Sequence, residues 1–428
     1  MIGLRHCLAM TQASILIAGH GNAAKITALS LAAAGFASHI DPPMAQADNL
    51  MPDWQNVLAL SPAARTMLET LGVWAKLETP SAPITNMQVH GTKAQKKAGL
   101  LSQKLTFVDR PADDGVEVIA HIVSLAALTR AIDQTFHALI EARLCQILPH
   151  AIAAHHPAER KVTLADGAQQ NCALLVDHTR GEKPWRRDMP RLIHDYGVTA
   201  LTAELTCDAT HGGVAQQIFA RTGTLALLPL PDAHRCALIW SLPHQQAAAL
   251  KKAGPDILAY EVNRATAEQF GTFELAGPVA SQPLSMRLAR DFIAPGLVLL
   301  GDSAHVTHPL AGQGFNLSLR DAAELADTVF EARSLGLSLD DFALLEAYQA
   351  KRRSDATLTI ATTHNLNALF TSRHSLVRRL AGVGMGLTDV LGARFPGLKR
   401  QFRTQANYGP DTPPRLMRGI EFGVQNPK

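Results

Sequence analysis

The chain has 428 residues, 47% hydrophobic and 18% charged, so it exceeds one ordinary core and should divide into two or three structural units. A formal charge of +3 is too small to argue for nucleic acid as a partner. Five scattered cysteines (Cys7, Cys145, Cys172, Cys207, Cys236) contain no Cys-x-x-Cys pair, which speaks against a disulfide framework or a cysteine zinc site and for a reducing cytoplasm.

Residues 1–9 carry no pattern, which makes Met10 the expected natural start. Residues 14–36 are apolar enough to resemble a signal peptide, but Gly19-His20-Gly21-Asn22 and Lys25 interrupt the run. No stretch of about 18 uncharged apolar residues exists, so no transmembrane helix is expected. Instead Ser14 to Ala18 predicts a buried strand, Ala23 to Ala34 a helix ending at Gly35, and Ala37 to Ile40 a second strand stopped by Asp41-Pro42-Pro43. Gly19-x-Gly21-x-x-Ala24 occupies the first turn of this βαβ unit, and Asp41 follows Gly21 by about 20 residues, which suits a carboxylate reaching the ribose of a nucleotide. The competing reading is a tight strand–helix turn without a ligand, and Lys25 in the first helical turn keeps it open.

Further on, Ser61-Pro62 predicts a capped helix running toward Trp74. Strands are expected across residues 85–122, a long helix from Leu125 to Ile147, and a hairpin from Val162 to Leu164 and Cys172 to Asp177. From Ala200 to Pro243 the pattern turns to antiparallel strands with little helix, which suggests a separate, substrate-covering sheet. Helices return from Leu317 to Leu335 and continue to about Arg403. Basic residues from Arg352 to Arg403 alternate there with Leu, Val and Met, as on a core-facing helix with a solvated side or on a surface resting against a membrane.

The segment from 297 to 329 carries the most chemistry. An apolar strand, Leu297 to Leu300, ends in Gly301-Asp302, and Gly312-Gln313-Gly314-Phe315-Asn316 precedes a helix expected to start near Leu317. A carboxylate at a strand's carboxyl end and free amides at a helix start form a ligand cradle. Ser303 lacks the Gly-x-Ser-x-Gly elbow of a hydrolase nucleophile. His305 and His308 have no nearby third metal ligand, and no nucleoside-triphosphate loop is present. Two separated contact regions suit a long cofactor such as FAD, with the amides of Gly312 to Asn316 near its reactive ring.

His308-Pro309-Leu310-Ala311-Gly312-Gln313-Gly314-Phe315-Asn316-Leu317, followed by Arg320-Asp321, resembles the signature of the FAD-dependent aromatic-ring monooxygenases of the para-hydroxybenzoate hydroxylase type, and most of all their ubiquinone-precursor branch. Ala59-Leu60-Ser61, Leu227 to Pro231 with Trp240, Tyr348 to Arg353 and Asn365 to Phe370 extend the similarity over nearly the whole chain. The resemblance implies an α/β fold: a Rossmann-like FAD-binding domain (10–80, 104–180, 281–360), an interleaved, mostly antiparallel substrate domain (81–103, 181–280) and a C-terminal helical region (361–428). It implies that Gly19, Gly21, Ala24 and Asp41 hold the ADP half of FAD and Asp302 the ribityl chain. Pro309, Gly312, Gln313, Gly314, Phe315 and Asn316 would line the isoalloxazine, with Pro309, Gly312 and Gln313 as its reactive-side environment. The implied reaction uses NAD(P)H and O2 to hydroxylate an aromatic ring, plausibly that of a prenylated phenol, in the cytoplasm or at the membrane's inner face.

The chain departs from the pattern in three places. Asn56 stands where the family carries arginine, Leu125 where it carries asparagine, and Asp177-His178-Thr179-Arg180-Gly181 replaces the middle Gly-Ala-Asp-Gly. These changes imply loose flavin binding, an altered pyridine-nucleotide site or lost catalysis. The alternative to an enzyme is therefore the same fold kept as a binding or scaffold subunit in a quinone-synthesis assembly.

Overall fold

The computed structural model describes residues 15–43, 57–90, 104–108, 118–220, 223–266, 270–307, 313–371 and 412–423. A six-stranded sheet lies at the base of the molecule. Its order runs Ile293–Ala294, Leu297–Leu299, Leu174–Asp177, Ile15–Ala18, Ser38–Ile40, Cys145–Ile147. All neighbours are parallel except the short edge strand Ile293–Ala294. The central strands Ile15–Ala18 and Leu174–Asp177 are buried at every position, as expected for a parallel sheet covered on both faces.

Helix α1 (Asn22–Ala33) follows the first strand and is buried along most of its length. It packs against the core-facing side of the long helix Gln313–Ser334. Gly35, at φ +83°, ends α1, and Arg333 donates to the carbonyls of Ala34 (2.7 Å) and Gly35 (3.0 Å). A cation at the negative end of the helix dipole is well placed. Helix α2 (Pro62–Thr70) is capped by Ser61 Oγ, which accepts from Ala64 N–H, and stops short of Trp74, where a separate single turn begins.

Two sequence expectations need correction. The helix α3 spans only Leu125–Glu141, because Arg143 takes a left-handed conformation (φ +58°) and Cys145–Ile147 then pairs with Ser38–Ile40 as a strand. The predicted hairpin does not form either. Lys161–Leu164 pairs with Ile152–His156 and Gln169–Asn171, while Leu174–Asp177 runs parallel beside the first strand. Its unbroken apolar run reads equally well as a hairpin arm or a buried parallel strand, and long-range pairing decides.

The second large sheet is mostly antiparallel. It includes the 17-residue strand Arg191–Cys207, with Val214–Ala220, Gly223–Pro229, Arg235–Pro243 and Ala280–Ala289. Helices α4 (His244–Ala253) and α5 (Pro255–Thr266) cover the face carrying Leu201, Leu225 and Trp240. The opposite face packs Ala215 and Ala237 against Ala82, Ile84 and Ile122. Residues 104–108 and 281–289, grouped above with the cofactor-binding part, pair into this sheet instead. Helices α6 (Gln313–Ser334) and α7 (Phe342–Thr371) follow, and the turn Arg415–Arg418 seats Leu416 and Met417 in the main core. The expected helix beyond residue 371 lies outside the described residues. Among the described residues no helix is long and apolar enough to cross a membrane, and Cys145, Cys172, Cys207 and Cys236 are free and buried.

Candidate functional site

The carboxyl ends of the strands Ile15–Ala18, Leu174–Asp177 and Leu297–Leu299 lie side by side, and their following turns form one edge. In the first turn Gly19 has φ +103°, a conformation that favours glycine, and its N–H donates to Asp41 Oδ2 at 2.7 Å. Asp41 Oδ1 accepts from Ile152 N–H at 2.9 Å. Asp41 thus ties the glycine turn to the start of the strand Ile152–His156; burial pushes its carboxyl up, against the lowering effect of those two amides. Each oxygen keeps lone-pair capacity for a ribose hydroxyl.

Gly21 precedes α1, and the place of its missing Cβ is open space. The helix start has neither a side-chain cap nor an acid in its first turn, so its amides are available to an anion, and Ala24 is buried in that turn. Lys25 points elsewhere: its ammonium pairs with Asp133 on α3 at 2.5 Å, and Asn22 bonds Thr129 on the same helix at 2.7 Å. The atypical lysine is therefore an inter-helix tie, which removes the sequence objection to an anion site.

The altered middle segment bridges the two halves of this edge. His178 N–H donates to Ala18 O (2.9 Å), and its backbone lies 3.4 Å from where a Cβ on Gly19 would sit. Its Nε2 meets Thr27 Oγ1 at 2.9 Å, while Nδ1 is buried without a partner among the described residues and faces Gly301. Burial drives this imidazole down to about 4, a shift that the nearby carboxylates of Asp177, Asp321 and Asp302 only partly oppose. Beyond it, Arg180 Nε reaches Asp302 Oδ2 at 2.5 Å.

Asp302 sits in the single turn Gly301–Ser303 with its side chain 36% exposed. Gly301 has φ +58°, and a Cβ there would stand 2.9 Å from Ser318 Oγ. Asp321 on α6 holds this turn at both ends: its carboxylate accepts from Gly301 N–H (2.9 Å) and His305 Nε2 (2.7 Å), and from Arg352 Nε (2.7 Å) on α7. Asp355 continues the cluster to Arg320 (3.0 Å) and Arg352 (2.8 Å). Arg320 and Asp321 belong to the sequence signature, but their role is visible only in the fold; the sequence clue is a carboxylate on the inner face of a long helix.

The helix α6 begins at Gln313, four positions before the expected start near Leu317, so Gly314, Phe315 and Asn316 belong to its first turn. Asn316 is buried, donates to Ala59 O (2.8 Å) and accepts from Ser61 N–H (3.0 Å), which locks the Ala59-Leu60-Ser61 segment onto α6. Phe315 packs on the main core, and Thr307 Oγ1 lies 3.6 Å from a Cβ placed on Gly314. His308, Pro309 and Gly312 lie outside the described residues, as does Asn56. Among the described residues no cluster suited to a metal ion occurs.

These residues fit FAD. Uncapped amides at α1 suit its phosphates, a half-exposed carboxylate at Asp302 suits a polyol chain, and two glycines leave the edge free of side chains between them.

A FAD binding domain family matches residues 176–363. The ubiquinone hydroxylase UbiL of Rhodospirillum rubrum is 29% identical over 85% of this chain and 82% of its own length. The 3-demethoxyubiquinol 3-hydroxylase of Escherichia coli is 27% identical over 90% of this chain and 96% of its own. Among solved structures, PqsL of P. aeruginosa in complex with 2-aminobenzoylacetate superposes with a TM-score of 0.68 at 21% identity, covering 86% of this chain and 98% of that one. HpxO of Klebsiella pneumoniae, complexed with FAD and uric acid, gives 0.67 at 15% identity over 94% and 98%. The chain is thus similar to FAD-dependent aromatic-ring monooxygenases, and among them to ubiquinone-biosynthesis hydroxylases.

Proposed function

We propose that this protein hydroxylates the ring of a polyprenylated phenol in ubiquinone synthesis, with O2 as oxygen source and NAD(P)H as reductant. The observation that carries the reading is the carboxyl edge itself: the open start of α1 and the Asp302 turn occur together in a chain whose relatives are ubiquinone hydroxylases. Bound FAD supplies the electron transfer from NAD(P)H and the activation of O2 that no side chain here provides.

The chain's own part is binding, orientation and exclusion of water. The amides of α1 bind the phosphates, and Asp302 accepts hydrogen bonds from the ribityl hydroxyls. The start of α6 would offer a partial positive charge to the ring end of the cofactor. Thr202, Ile239 and Ala226 are register neighbours on the sheet face away from α4 and α5, half-buried and uncharged. We assign them to the wall on which the aromatic ring rests, because they present an uncharged face away from the helices.

Full-length protein should purify yellow, release FAD on denaturation, and oxidise NAD(P)H faster when a phenolic substrate is added. Colourless protein that cannot be reconstituted with FAD would sink this reading. Rescue of quinone production in a deletion strain by Asp302→Ala would show that the cell needs the protein as a scaffold and not its flavin chemistry.

A further inference from the structure

Arg180 stands where the family's middle motif has glycine, and its position suggests a use. The run from His178 to Gly181 is rigidly based: His178 lies against Gly19, Thr179 Oγ1 donates to Asp177, and Arg186 donates to Thr179 Oγ1 (3.0 Å) and Gly181 O (2.7 Å). From that base the Arg180 side chain projects, 83% exposed, with its guanidinium on Asp302. It lies on the carboxylate assigned to the ribityl chain, two residues beyond His178, whose backbone lies against Gly19.

Among the described residues, the other cations near this edge include Lys183, whose charge acts on Asp41 while its ammonium lies 5.5 Å from the centre of the Trp185 ring, and Lys25. A pyrophosphate bears two negative charges, whereas the start of α1 offers only about half a positive one. Lys25 is already matched by Asp133. The Arg180–Asp302 pair is solvent-exposed, and such pairs are weak, so exchanging its partner costs little. A guanidinium binds phosphate oxygens in a two-pronged, charge-assisted way that suits it to this exchange.

We propose that Arg180 is a phosphate-binding residue, a latch that leaves Asp302 for the pyrophosphate of FAD when the cofactor enters and so releases the Asp302 carboxylate to the ribityl hydroxyls. The inference rests on the FAD reading above. It gives the changed middle motif a positive role in holding the cofactor.

The test uses full-length protein stripped of flavin and titrated with FAD and with riboflavin, which has no phosphate, by quenching of flavin fluorescence. Arg180→Ala and Arg180→Gly should raise the Kd for FAD about tenfold, the scale of one charge-assisted hydrogen bond, and leave that for riboflavin unchanged. Arg180→Lys should fall between, and the salt dependence of FAD binding should flatten in Arg180→Ala. Arg180→Gly that binds FAD as tightly as the parent, or more tightly, overturns the inference, since Arg180 would then only fill the groove. Equal weakening toward FAD and riboflavin also overturns it, because Arg180 would act through Asp302 alone. A parent protein that quenches neither flavin overturns the FAD reading itself, and this inference with it.

Discussion

Asp321→Asn is the sharpest probe of how the cofactor turn is held. Asp321 is 0% exposed and receives three donors, Gly301 N–H, His305 Nε2 and Arg352 Nε, all within 2.9 Å. With Asp355 it balances the guanidiniums of Arg320 and Arg352. Asparagine keeps the shape, but it leaves one buried guanidinium without its counter-charge and turns an amide N–H toward a donor. Breaking a buried pair in this way costs about 3–5 kcal/mol. At roughly 2–4 °C per kcal/mol for a large domain, the thermal midpoint should fall by on the order of 10 °C. Urea denaturation of the full chain at neutral pH reads the loss directly. The pH dependence adds a second check. Burial alone would raise the Asp321 carboxyl; the charges of His305 and Arg352, with the bonds from His305 and Gly301, outweigh it and hold the group well below the usual carboxylate range. Its contribution is therefore full above the unfolded value near about 4 and fades as pH falls toward the folded value. A loss smaller than about 1 kcal/mol at pH 7 would refute the claim that Asp321 is the charge centre of this turn, and so would a penalty undiminished at the acid end.

Other substitutions test neighbouring parts of the same edge. Gly301→Ala forces a Cβ into a left-handed residue 2.9 Å from Ser318 Oγ, and should destabilise the protein by about 1–2 kcal/mol in chemical denaturation; unchanged stability would mean the turn can relax. Asn316→Ala removes both ties to the Ala59–Ser61 backbone and should cost about 1–3 kcal/mol, with Asn316→Asp at least as damaging because a carboxylate would face Ala59 O; the reverse ranking would contradict the assigned amide orientation. His178, pushed down to about 4 by burial, binds a proton more readily when unfolded. Its contribution is complete above the unfolded value near about 6.5 and is lost as pH falls toward 4, so His178→Ala should flatten the slope of stability against pH in that window by up to one proton. A parallel slope in parent and variant would place the titration elsewhere, at His121 or His155, which burial also lowers to about 4.

Much of this was legible because local chemistry and global packing agree. Gly35, Ser61-Pro62 and the Leu297 strand each announce an element end that the fold keeps. The errors fell where a choice depends on distant partners. Leu174–Asp177 has the composition of either a hairpin arm or a buried parallel strand, and only its neighbours at Ile15–Ala18 and Leu297–Leu299 settle which. The start of α6 was set too late because Gly314 looks like loop, yet Gly314 takes a helical place beside Thr307. Lys25 is atypical for the first turn of such a helix, and its partner Asp133, 108 residues away, is invisible to local pattern. Asp321 could be quoted but not understood, because its role exists only once three segments meet around it.

The middle motif is held by contacts that no local pattern announces. A buried polar group left unpaired costs about 1–3 kcal/mol, and His178 Nδ1 in this segment is one such group among the described residues. Here the substituted residue Asp177 is wholly buried and still fully matched: Thr179 donates through N–H (2.7 Å) and Oγ1 (2.6 Å), Trp185 through Nε1 (2.7 Å), and Arg186 forms an ion pair at 3.1 Å. Its carbonyl accepts from Ser303 Oγ (2.6 Å) and from Leu300 N–H (3.0 Å), so the same residue steadies the strand end that presents Asp302. Glycine at 177 could supply those backbone contacts but would strand the Arg186 guanidinium in the interior. Aspartate at 177 and the donors at 179, 185 and 186 are therefore mutually required.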